Sequence, residues 1–324
     1  MPAPLLFLLT VAIWGTTWIA VKLQAAVVAP ELSVAYRFLA AAAILLAWMA
    51  WRGERLRWPP AAHLRMAAQG ACLFSLNYIP VYWASRHLTS GLVALAFSTV
   101  VVFGILFGAL ADRRPVEGRV AAGAAVGLAG LALFFWKELA ALSPAGEASL
   151  AILAAVAGAA LAAAGMVLGS VNQKAGLSVL PLSAFGMLYG GLVSAGWAVA
   201  AGGRWAWDPS PAVALSLVYL VLVGSIAGFW CFLTLVGRIG PQRAGYVPVL
   251  FPVVALAIST LFEGYAWDWA AAGGAALVVA GNLVVMLPHS GKVPPGRIWS
   301  RLLTIGGIGR VQWAGPACPG RRRE

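Results

Sequence analysis

Apolar runs of helix length follow one another along this chain almost without a break. A bilayer's hydrocarbon core is about 30 Å thick and takes about 20 apolar residues of helix to cross. Ten such runs stand out, at roughly 4–23, 31–51, 63–85, 90–110, 118–136, 149–171, 178–201, 212–236, 243–262 and 269–288. With 62% apolar and 10% charged residues, a 324-residue chain has too few polar groups to cover a soluble globule. Each run has to be helical, because backbone in lipid must satisfy its N–H and C=O groups within the segment. The expected fold class is therefore all-α integral membrane.

The chain also repeats itself. Glu263, Gly274, Gly281 and Ile239 each have a counterpart 151 positions earlier, at Asp112, Gly123, Gly130 and Leu88, with no gap between them. This places a first repeat at 1–140, a second at 141–288 and a tail at 289–324. Five runs per repeat is an odd number, so the second unit enters the membrane from the opposite face. The expectation is ten transmembrane helices in two inverted five-helix repeats around a central cavity.

Orientation follows from where Lys and Arg fall. One side collects Arg52, Arg55, Arg57 and Arg65; Arg113, Arg114 and Arg119; Lys174; Arg238 and Arg243; and the tail. The other side holds only Lys22, Arg86, Lys137 and Arg204. Both termini are accordingly expected in the cytoplasm. In a soluble chain the net charge of +12 would suggest nucleic acid, but here the basic residues flank apolar spans, and no nucleic-acid partner is expected. The N-terminal run lacks a basic leader and a cleavage site, so it reads as the first span. The Gly- and Pro-rich tail ends in three arginines and a glutamate, and reads as a disordered cytoplasmic segment or a short amphipathic turn on the inner leaflet.

Several residues within the spans could meet a solute. Trp14 and Trp18 share a helix face, and Gly15, Thr16 and Thr17 between them permit close helix contact or offer hydroxyls to a ligand. Lys22 either snorkels to the outer interface or acts as a functional charge. Arg37 lies about two turns below Pro30 and Glu31, where a guanidinium faces a partner or a wet cavity, or staples helices through backbone carbonyls. Ser75, Asn77, Tyr78, Tyr82 and Ser85 line the third run, and Pro80 should free a carbonyl near Leu76 and kink it. Tyr78 maps onto Phe229 and the adjacent Ile79 onto Trp230, so aromatic residues recur at related places. Tyr246, Pro248 and Pro252 suggest a broken or hinged ninth helix beside the cavity. Asn172, Gln173, Tyr189 and Asn282 are weaker candidates.

What the spans lack excludes other classes. The three histidines, His63, His87 and His289, sit at span edges or in loops, and no carboxylate lies deep in a run. An intramembrane enzyme would need an acid, base, nucleophile or metal cluster there. The three cysteines form no disulfide framework or CxxC pattern, and no cofactor is expected.

The run Trp14-Gly15-Thr16-Thr17-Trp18 followed by Lys22, with Pro252, Glu263, Gly274 and Gly281 at the end of the second repeat, resembles the EamA family of the drug/metabolite transporter superfamily. The first copy departs from that pattern, with Val101 where the proline would stand and the shorter Asp112 for the glutamate. The resemblance implies a secondary transporter of the bacterial inner membrane, a monomer or weak homodimer, exporting small metabolites such as amino acids, amines or drug-like compounds. Import of sugars or nucleotide derivatives occurs in the wider superfamily, and a membrane-embedded enzyme or scaffold on the same fold is the remaining alternative. The candidate solute-binding set is Trp14, Thr17, Lys22, Arg37, Asn77, Tyr78, Tyr82, Trp230 and Tyr246.

Overall fold

The structure is a computed structural model and describes residues 1–112, 118–134, 136, 146–202, 210–239 and 247–286. Every regular element among them is helical. In chain order these are α1 (Ala3–Val27), α2 (Pro30–Trp51), α3 (Pro60–Ala71), α4 (Tyr78–His87), α5 (Ser90–Phe97), α6 (Val100–Asp112) and α7 (Gly118–Phe134). They continue as α8 (Glu147–Lys174), α9 (Val179–Ala200), α10 (Pro211–Tyr219), α11 (Gly228–Ile239), α12 (Val247–Phe262) and α13 (Trp269–Met286). Six helical stretches are long and apolar enough to cross a membrane: Ala3–Val27, Pro30–Trp51, Ser90–Ala111, Glu147–Lys174, Val179–Ala200 and Pro211–Leu235. Shorter apolar helices run over Ala121–Phe134, Leu250–Phe262 and Trp269–Gly281. The stretch from Pro60 to His87 is helical too but carries Arg65, Gln69, Asn77 and Arg86, which dilute its hydropathy. The chain is a multi-span helical membrane protein.

Helix starts follow the prolines. Pro30, Pro60 and Pro211 each open a helix, where a missing N–H costs nothing because the first turn has no intrahelical acceptor for it. Between α12 and α13 the chain reverses through Gly264 at φ +68°, a backbone conformation that a side chain disfavours.

Two helical stretches change register in mid-course. Residues Cys72–Leu76 form a π turn between α3 and α4, and Leu220–Ala227 form one between α10 and α11. The 151-residue offset carries Cys72–Leu76 onto positions 223–227, inside the second π segment. The kink expected from Pro80 is thus taken up as a wide turn immediately before it, since Pro80 cannot donate to the Leu76 carbonyl. The ninth run behaves differently from the expectation of a break. Pro248 falls in the first turn of α12, and the helix runs on without interruption through Pro252. Pro252 has no N–H for the Pro248 carbonyl four residues back, so the helix loses one hydrogen bond there and keeps its course.

Small residues set the packing. α7 and α13 lie antiparallel with their backbones in contact. A Cβ on Gly130 would meet Val278 N at 2.6 Å, one on Gly274 would meet the Gly130 carbonyl at 2.7 Å, and one on Gly281 would meet the Gly123 carbonyl at 2.6 Å. Exchanging every residue for its repeat counterpart turns the contact between Gly130 and Gly274 into the one between Gly281 and Gly123. Elsewhere α9 closes on the third run, where a Cβ on Gly190 would meet Gly70 O at 2.7 Å. Where hydrophobic association is weak, as between helices in lipid, such close approach supplies the dispersion contacts that hold helices together. The largest buried cluster gathers Phe38, Phe74, Tyr82, Met187 and Leu220 around the middle of α2, the third run, α9 and the second π segment.

Candidate substrate site

A cavity lies among α1, α2, the third run, α5, α6, α8, α11 and α12. Its lining includes Trp14, Thr17, Trp18, Arg37, Asn77, Tyr78, Phe229, Pro248 and Phe251. About 60 Å³ is open to the centre of a water molecule. At roughly 10–15 Å³ per water this admits a handful of waters or a small solute.

Arg37 is the centre of charge. It is 2% exposed, seven residues into α2. Its Nε donates to Ser225 Oγ at 2.8 Å, and its Cζ lies 4.9 Å from the ring centres of both Phe38 and Tyr78. No carboxylate meets it: the ion pairs among the described residues are Lys22 with Glu263 and His87 with Glu147. A guanidinium in so dry a place costs several kcal/mol unless it is solvated by dipoles and aromatic faces or by a counter-anion. The protein supplies the first two and leaves room for the third.

Aromatic walls enclose the space. Trp14 packs against Phe229 at 5.2 Å and Phe232 at 4.9 Å, and its indole Nε1 donates to the Gly224 carbonyl at 3.3 Å. The π register makes that carbonyl available, because a wide turn disrupts the regular ladder. Trp18 packs between Phe97 and Phe251, at 5.3 and 5.5 Å. Its buried Nε1 and the buried Asn77 Oδ1 have no hydrogen-bond partner among the described residues. Both residues line the cavity, and although the two atoms are themselves covered, an unpaired buried donor and acceptor beside it are polar groups that a ligand or water could satisfy after a small shift of side chains. Thr17, by contrast, spends its hydroxyl on the Trp14 carbonyl at 2.8 Å, leaving only its lone pairs for a solute.

Of the residues nominated from sequence, Trp14, Thr17, Arg37, Asn77 and Tyr78 come together on this cavity. Tyr82 does not line it. It is fully buried one turn behind Tyr78, with ring centres 6.3 Å apart. Lys22 also stands apart, neither snorkelling freely nor facing the solute, with its Nζ 2.9 Å from Glu263 Oε1. Trp230 points away from the cavity and is 54% exposed, while its neighbour Phe229 takes the inward position. Tyr246 and Asn282 fall outside the residues whose side chains are described. Gly224 and Ser225 were not nominated. The signal that could have found them is a mismatch between the repeats, since their counterparts are Leu73 and Phe74.

Comparison with known proteins agrees with this architecture. The model of the EamA-like transporter family matches residues 1–136 and again 149–287. The chain is 30% identical over 257 residues to the uncharacterized inner membrane transporter YedA of Escherichia coli, covering 78% of this chain and 80% of YedA. It is 23% identical over 273 residues to the protein PagO of Salmonella typhimurium, covering 81% and 85%, and 26% identical over 257 residues to the protein PecM of Dickeya dadantii, covering 77% and 80%. A solved crystal structure shares the fold with a TM-score of 0.65 at 20% identity, over 87% of this chain and 96% of the other. Two matches to one family model, together spanning nearly all of the described residues, place the chain in the EamA-like transporter family.

Proposed function

We propose that this protein is a secondary transporter that carries a small solute bearing a carboxylate, an amino acid or a related acid with an apolar or aromatic part, by alternating access. The observation that supports this most is Arg37: a permanent charge facing a small aromatic cavity, held by the Ser225 hydroxyl, two ring faces and the neighbouring Tyr78 and Tyr82 hydroxyls, all of them neutral. A solute carboxylate would complete its coordination, Asn77 Oδ1 would accept from a solute amine, and the Trp and Phe walls would take the apolar part. A dication would find no acid in the lining, and a multiply charged anion would want more than one guanidinium.

The cycle belongs to a ten-helix arrangement of two inverted repeats with both termini in the cytoplasm. The antiparallel α7 and α13, related by the repeat offset, and the π segments at related positions support that reading. The name of YedA favours the inner membrane, and the resemblance noted from sequence favours export. Coupling would be by facilitated efflux or exchange, because among the described residues no carboxylate that could carry a proton lines the cavity.

The test is a panel of labelled apolar and aromatic L-amino acids in proteoliposomes, each beside the amine that lacks its carboxylate. Uptake of at least one amino acid, with its amine refused and Arg37→Ala reducing flux about tenfold or more, is the expected result. Robust uptake of multiply phosphorylated compounds, or an unchanged flux in Arg37→Ala, would remove the assignment.

A further inference from the structure

The π segment between α10 and α11 does more than bend a helix. We propose that Ser225, with Gly224 beside it, is the positioning residue for Arg37: it fixes the guanidinium so that its Nη edge is presented to the solute carboxylate. The inference rests on the reading of Arg37 given above and adds to it the residue that aims the charge.

An arginine stem has four soft torsions, and bidentate recognition of a planar carboxylate requires the fork to be held in one plane. Ser225 supplies that hold at 2.8 Å from Nε. Its own hydroxyl hydrogen is directed to the Leu220 carbonyl at 2.9 Å, five residues back. The oxygen therefore reaches Arg37 as an acceptor, the only role a donor-only guanidinium can use. The spacing of five belongs to the π turn. Serines and threonines in ordinary helical turns here bond three or four residues back, as Thr10 does to Leu6 and Ser98 to Leu95.

Gly224 makes the space. A Cβ there would lie 3.3 Å from Arg37 Nη2 and 2.8 Å from Thr17 Cγ2, so a side chain would press on the guanidinium and on the helix bearing Trp14. With Nε committed to Ser225, the Nη groups remain, and a ligand would share them with the Tyr78 and Tyr82 hydroxyls that lie beside the guanidinium. The arginine comes from the first repeat and the glycine and serine from the second. The counterparts of Arg37, Gly224 and Ser225 are Leu188, Leu73 and Phe74, so only one of the two repeat-related combinations carries the three residues.

The test is a double-substitution cycle on uptake of L-leucine or L-phenylalanine, whichever is carried faster. Ser225→Ala should raise KM about tenfold and leave the maximal rate within about twofold. Ser225→Thr, which keeps the hydroxyl, should recover most of the affinity. In an Arg37→Ala background, Ser225→Ala should cost nothing further, whereas a purely structural serine would cost the same in both. Should Ser225→Ala not fold, the near-isosteric Ser225→Cys, a weak acceptor, carries the same expectation. An unchanged KM in the folded alanine or cysteine variant, with Arg37→Ala still reducing uptake about tenfold, overturns the role of Ser225 and spares that of Arg37. Unchanged uptake in Arg37→Ala, or no uptake of either amino acid, overturns both.

Discussion

Lys22 and Glu263, 241 positions apart in the sequence, meet at 2.9 Å, and the same carboxylate receives the Ser90 amide at 3.0 Å at the start of α5. One acid thus ties the C-terminal part of α1, the N-terminus of α5 and the end of α12 together. Glu263 adds a counter-charge to Lys22 and a favourable partner for the positive end of the α5 dipole.

The pH response of that tie has a definite sign. Burial pushes the Glu263 carboxyl up, but hydrogen bonds from Ser90 and Lys22 and the Lys22 charge outweigh it, so its pKa lies below the ordinary 4.5. A depressed folded value contributes stability above the unfolded pKa, and that stability is lost as pH falls through the folded one. The purified protein should therefore lose thermal stability as pH drops below about 4.5, and Glu263→Gln should start lower and show a flatter profile in that window. Uptake should be insensitive to Glu263 titration between about pH 6 and 8. A flux that Glu263→Gln stripped of its pH dependence in that range would contradict this.

The glycine contacts between α7 and α13 are the most sensitive place to add a side chain. Gly281→Leu should cost about 2 kcal/mol or more, because the added carbons meet the backbone of α7, which cannot rotate away. Gly104→Ala is the matched control, since a Cβ there meets nothing within 4 Å. Unfolding in detergent should separate the two, and equal loss in both would show the packing account to be wrong.

Cavity and surface aromatics should part company in transport kinetics. Phe229→Leu removes a ring that packs on Trp14 and Phe74, at 5.2 and 5.0 Å, and should raise KM roughly threefold or more. Trp230→Leu, on the exposed side of the same helix, should leave it unchanged. The reverse order would place the cavity on the wrong face of α11.

Orientation can be checked by labelling a variant without Cys72, Cys231 and Cys318. An impermeant reagent applied to intact cells should modify a cysteine placed at Asp268 and spare one placed at Arg113. Equal labelling at both positions would sink the proposed topology.

The apolar helices and the burial of Arg37 were legible because both depend on local length and charge. Pro30 and Glu31 mark a helix end, and counting two turns from them is enough to place a guanidinium below the surface. The inward aromatic in α11 was harder. The offset pointed to both Phe229 and Trp230, and only the register of the π segment before them decides which ring turns inward, because a wider turn rotates every residue that follows. Lys22 was legible as a charge near an interface, but its partner lies in the other repeat, and nothing local to either residue announces the pairing. Ser225 looked like one more small residue in an apolar run, and its significance depends on a contact with a helix far away in sequence.

The backbone contact between α7 and α13 also bears on how the protein can move. Helices that meet through side chains can exchange one packing for another, since rotamers offer neighbouring arrangements. Two glycine faces pressed together offer no such alternatives: there is nothing to repack, and sliding by a residue brings a Cβ against a carbonyl. Among the described residues, none that lines the cavity belongs to either helix. In the proposed alternating-access cycle the pair would act as a fixed post, with the opening of the cavity coming from the remaining helices turning about it.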